Sequence, residues 1–95
     1  MRAIHIDCAN IESADAFWQR YLDVVQPDGG EMFGRNLDAF WDAVEGGGPG
    51  WPGDVELVFT NSRLLEPLKT AGGASFLAGL IRISEQATHA KLRFL

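Results

Sequence analysis

Three short segments of strand character, set far apart in a chain of 95 residues, restrict the fold more than any other feature. Ile4, Ile6 and Cys8 alternate with His5 and Asp7, a period of two that predicts a strand over about residues 2–8. Val55-Glu56-Leu57-Val58-Phe59 is β-branched and aromatic, as an interior strand is. Ala90-Lys91-Leu92-Arg93-Phe94 alternates again and reads as a last strand. Between these segments the apolar spacing is helical, and strands joined by helical crossovers must run parallel.

The helices announce themselves by caps and stripes. Ser13 is an N-cap, with Ile11 upstream as a staple, for a helix near 14–25 whose stripe is Phe17, Trp18, Tyr21, Leu22 and Val25. Pro27-Asp28-Gly29-Gly30 ends it. Asn36 caps a second helix, in which Leu37, Phe40, Trp41 and Val44 fall at i, i+3, i+4 and i+7, and Gly46-Gly47-Gly48-Pro49 stops it. Gly46 to Gly53 is an irregular loop around Trp51. After the central strand, Asn61 is expected to cap a short helix carrying Leu64, Leu65 and Leu68, disturbed by Pro67. A longer helix near 74–87 presents Phe76, Leu77, Leu80, Ile81 and Ile83 to the interior. The expectation is one α/β domain over residues 1–95: a three-stranded parallel sheet packed with about four helices, in the order β-α-α-β-α-α-β.

Composition limits the partners. A hydrophobic fraction of 46%, with six Phe, three Trp and one Tyr, supplies a packed core. Eight Lys and Arg against thirteen Asp and Glu leave a net charge of -5, which gives no electrostatic reason to seek phosphates or anionic membranes. Basic partners suit such a chain. A lone cysteine, Cys8, cannot form an internal disulfide and fits a reducing compartment. Met1-Arg2 leads straight into Ile4-His5-Ile6-Asp7 without an export signal, so a cytoplasmic, soluble protein is expected.

Catalytic constellations are scarce. His5 and His89 read as solvent-facing residues of strand ends, and Cys8 lies on the apolar phase of its strand with no base beside it. The glycine-rich loop lacks the lysine and hydroxyl residue of a phosphate-binding loop and follows a helix, while Lys69-Thr70 has no glycine cradle upstream. No enzymatic activity, metal or cofactor is expected.

Asp38, Asp42 and Glu45 carry the functional information. Spaced by four and three, they share a face of the second helix, opposite much of its apolar stripe. Asp38, in the first turn, is favoured by the helix dipole. Asp42 is not: it sits toward the C-terminal end with acidic neighbours at i-4 and i+3, each pair costing about 0.2–0.5 kcal/mol. No Lys or Arg lies within the helix, since Arg35 precedes it. A solvated acidic face is the plain alternative. Against it stand Trp41, bordering the acids, and Trp51 in the next loop, because aromatic residues beside charge make up interaction hot spots. Trp51 fits the core equally well.

The run Phe33-Gly34-Arg35-Asn36-Leu37-Asp38-Ala39-Phe40-Trp41-Asp42-Ala43-Val44 closely resembles the signature helix of the barstar family, intracellular inhibitors of a secreted bacterial ribonuclease. Chain length and element order resemble the family as well. The resemblance implies a three-stranded parallel sheet and a helix that plugs the basic active-site cleft of a nuclease in a one-to-one complex. On that model Asp42 takes the phosphate position, Asp38 is a second acidic contact, and Asn36 and Trp41 lie in or beside the docking face. Carboxylates on a stiff helix then imitate RNA phosphate, and opposite net charge speeds encounter. Both effects come with the resemblance. Met32 stands where the family commonly has tyrosine, the Gly46–Gly53 loop is longer, and the acidic contact of the last helix falls near Glu85. The alternative is an interaction or immunity module whose basic partner is not a ribonuclease.

Overall fold

The computed structural model describes residues 2–95. Strands β1 (Arg2–Asp7), β2 (Val55–Thr60) and β3 (Lys91–Phe94) form one parallel sheet in the order β1-β2-β3. The most apolar strand therefore takes the centre. Register sets Ile6 against Phe59 and Leu57 against Leu92. Val55, Leu57 and Phe59 join Ile6 and Cys8 in the core beneath the helices. The opposite face aligns His5, Val58 and Arg93 across the three strands, with Glu56 3.9 Å from Lys91 and 3.8 Å from Arg93.

Three α-helices cover the core: α1 (Ala14–Val25), α2 (Leu37–Gly46) and α3 (Phe76–Gln86). Local chemistry starts each of them. Ser13 accepts from the Ala16 amide at 3.0 Å, Asn36 from Ala39 at 2.7 Å and Ser75 from Ala78 at 3.2 Å. Helix α2 ends as its glycines direct, with Gly47 at φ 71° in the left-handed region and Gly48 donating to the Asp42 carbonyl at 3.1 Å.

The expected fourth helix is a 3-10 turn, Ser62–Leu65. Asn61 does not cap it. Its backbone is left-handed at φ 55° and its side-chain amide donates to Asp7 Oδ1 at 2.9 Å, which ties β2 to β1 instead. With the cap diverted and Pro67 lacking an N–H, the segment closes one tight turn and stops. Leu64 is exposed in consequence, while Leu65 and Leu68 are buried. A second 3-10 turn, Gly30–Met32, carries the chain from α1 to Phe33. Ile81, expected inside, is 39% exposed, because α3 buries only Phe76, Leu80 and Ile83.

Trp18 occupies the middle of the helical layer and is 1% exposed. Its ring meets Phe17 (4.9 Å), Phe40 (5.3 Å), Phe33 (5.4 Å) and Phe76 (5.5 Å), so one side chain touches α1, α2, α3 and the loop before α2. The long loop is pinned to the same cluster, since the Tyr21 hydroxyl donates to the Gly50 carbonyl at 2.6 Å.

Gly50 and Gly53 separate backbone strain from crowding. Their φ angles are +93° and +91°, but a Cβ on Gly50 would meet Phe33 Cδ1 at 2.6 Å, whereas one on Gly53 meets nothing within 4 Å. Gly53→Ala is expected to destabilise by about 1–2 kcal/mol from conformation alone. Gly50→Ala adds about 1–3 kcal/mol of overpacking. Urea unfolding of the two variants measures the difference.

Candidate protein-binding interface

Helix α2 is held by Phe40, Ala43 and Val44, all fully buried, with Leu37, Ala39 and Trp41 partly buried against the core. Asp38 and Asp42 are exposed. Among the described residues neither carboxylate has a hydrogen bond or an ion pair. The nearest cation in sequence explains why. Arg35 adopts φ 55° and reaches back to α1, where Nε binds Asp15 Oδ1 at 2.9 Å, Nη1 binds Gln19 Oε1 at 3.0 Å and Nη2 binds the Asp15 carbonyl at 3.1 Å. Three of its five N–H donors are engaged on α1, and its ion pair is with Asp15 and not with an acid of α2.

Glu45 departs from the expected row of three free acids. It is half-buried, and Oε1 accepts from the backbone amides of Thr88 (2.7 Å) and His89 (3.2 Å) while Oε2 accepts from the Thr88 hydroxyl. The hydroxyl of Thr88, then the two amides, hold its carboxyl down at about 2, against an ordinary 4.5. Two acids of the row are therefore free and the third is committed inside the molecule.

Of the remaining candidates, Asn36 and Trp41 belong to this helix and its cap, while Trp51, Met32 and Glu85 lie on other elements. Asn36 uses both ends of its amide locally, accepting from Ala39 and donating to the Gly34 carbonyl at 3.2 Å. Trp41 is half-buried and packs on the core with one side open. Trp51 is 39% exposed at the loop tip, intermediate between the two roles its sequence allowed. It shares a cleft of about 340 Å³ with Glu45, Gly47, Asp54 and His89. Met32, 72% exposed, stands at the end of the 3-10 turn. Glu85 is exposed on α3, which packs beside α2 so closely that a Cβ on Gly79 would lie 2.5 Å from Leu37 Cδ1. At the other end of α2, a groove of about 530 Å³ runs between Asn36, Leu37 and Asp38 and the loop at Thr70-Ala71-Gly72.

Sequence reading did not find Thr88, His89 or Asp54 in this region. The first two act through backbone amides as much as side chains, and amides carry no sequence signal; Asp54 follows Gly53 in what reads only as loop.

Cys8 is fully buried, and burial with the neighbouring Asp7 charge pushes its thiol up to about 11, so it is a protonated core residue. His5 and His89 are both exposed. His89 Nδ1 lies 3.1 Å from Thr88 Oγ1 and 3.6 Å from Glu45 Oε1. Among the described residues no helix is long and apolar enough to cross a membrane.

The structure is thus a small parallel α/β fold with two exposed, unpaired carboxylates on α2. The family model for barstar (barnase inhibitor) matches residues 1–95, the whole chain. The chain is a member of the barstar family, a family of inhibitors and not of catalysts. A comparison with curated proteins finds no match.

Two outcomes follow from the charges of α2. Asp42→Asn removes repulsion from Asp38 and Glu45 and is expected to stabilise the free protein by about 0.5 kcal/mol, seen as a higher urea midpoint. Glu45 sets an acid limb of stability. The unfolded chain takes up this proton near 4.5 and the folded one near 2. Its contribution is complete above pH 4.5 and fades as the pH falls to about 2. Melting curves across that window are expected to show the loss in wild type and a shallower one in Glu45→Gln.

Proposed function

We propose that this chain inhibits a basic ribonuclease by inserting α2 into the enzyme's active-site cleft. The observation that carries the reading is the pair of free carboxylates, Asp38 and Asp42, one turn apart on a helix whose buried side is fixed by the aromatic core. Asp42 stands in for an RNA phosphate and takes the cationic groups that normally bind it; Asp38 meets a second cation one turn away. On this reading Trp41 and Trp51 exclude water around the acids, Asn36 sets the helix start, and Met32 and Glu85 contribute at the edge of the contact. The net charge of -5 draws a basic enzyme in from a distance. Such an inhibitor protects the cytoplasm of the cell that makes the nuclease.

RNA cleavage by barnase tests the reading. Wild-type protein is expected to stop cleavage at one-to-one stoichiometry. Asp42→Ala is expected to weaken inhibition by roughly 30-fold or more, the threshold of a hot-spot residue. Added salt is expected to slow association of wild type more than of the variant. Unchanged cleavage at a large excess of wild type, or equal inhibition by Asp42→Ala, overturns the reading.

A further inference from the structure

The clasp on Glu45 joins the end of α2 to the turn before β3. Helix α2 leaves through Gly46-Gly47-Gly48, and a Cβ on either of the first two would meet nothing within 4 Å, so the exit itself is unpacked. Negative charge in a last helical turn is also disfavoured by the dipole. Yet Glu45 sits there with two amides and a hydroxyl converging on it from Thr88 and His89, in the turn between α3 and β3. Lys91, the first residue of β3, follows two positions after His89.

We propose that Glu45 is a positioning residue for the docking helix: by gripping the Thr88-His89 turn it fastens the C-terminal end of α2 to the sheet and fixes where Asp42, three residues earlier, presents its carboxylate. The proposal rests on the inhibitor reading for what the positioning serves. The grip itself is a property of the free protein. Carboxylates aimed at a preformed set of cations lose affinity when their mount pivots, because the complex must then re-order it.

A glutamine distinguishes this role from direct contact. Oε1 of Glu45 accepts from both amides, and a glutamine oxygen can do the same while its amide nitrogen donates to the Thr88 hydroxyl. Glu45→Ala removes every one of those bonds. Three variants, Glu45→Ala, Glu45→Gln and Thr88→Val, are compared by amide hydrogen exchange in the free protein and by binding kinetics with barnase across a salt series. Glu45→Ala is expected to speed exchange in the last turn of α2 and at residues 87–89, and to speed dissociation by about tenfold. Glu45→Ala and Glu45→Gln lose the same charge, so the salt dependence of association is expected to be the same for the two. Glu45→Gln is expected to recover most of the loss, and Thr88→Val to show part of it. Exchange unchanged in Glu45→Ala overturns the proposal. So does a Glu45→Gln variant as weak as Glu45→Ala, which marks a direct charge contact. Wild type that fails to bind barnase sinks the inhibitor reading alone, and the exchange result still decides the clasp.

Discussion

The contacts of Trp18 are the constraint on which the acidic face of α2 depends. A surface helix of ten residues, about 15 Å long, has marginal stability by itself. Here its inner side meets a ring that also touches α1, α3 and the approach loop through Phe17, Phe76 and Phe33. Moving α2 would disturb the contacts of Phe40 with both Trp18 and Tyr21. The Tyr21 hydroxyl extends the hold to Gly50, so the loop after α2 is fixed from the same centre. A sheet of three strands is small, and this aromatic layer supplies the stiffness that the sheet alone does not.

Features governed by neighbours in sequence were legible. Ser13 and Asn36 cap the helices they were expected to cap, because a cap needs only an oxygen three residues before an amide. Strands β1 and β3 followed from alternation, β2 from its β-branched and aromatic run, and the parallel sheet from the helices between them. Where a distant partner competes, the local signal fails. Asn61 has the right chemistry for a cap, but Asp7, 54 positions away, takes its amide, and the expected helix shrinks to a 3-10 turn. Ile81 fits the α3 stripe by spacing, yet the inner surface of that helix is filled by Phe76, Leu80 and Ile83.

The acidic face was legible only in part for the same reason. That Asp38, Asp42 and Glu45 share a side of α2 is a matter of spacing. Which of them is free is not, because Thr88 and His89 lie more than 40 positions from Glu45. Arg35, adjacent in sequence and of the right sign, would serve as a counter-ion on proximity alone. Its left-handed backbone and its three bonds to Asp15 and Gln19 turn it the other way.

Free and committed carboxylates differ in what docking would cost them. An acid already holding internal donors must give them up, or share them, before a partner's cations can approach along its lone pairs. Glu45 is in that state, and its depressed titration is the measure of how well it is satisfied. Asp38 and Asp42 give up only water. That water is expensive to remove unless the incoming surface replaces it with charged donors in matching positions. A neutral or acidic surface cannot do so and is rejected by the same desolvation that a cationic cleft overcomes. Leaving Asp42 without an internal counter-ion costs the free protein a little repulsion along α2, and it keeps the whole acceptor capacity of that carboxylate for a cationic partner.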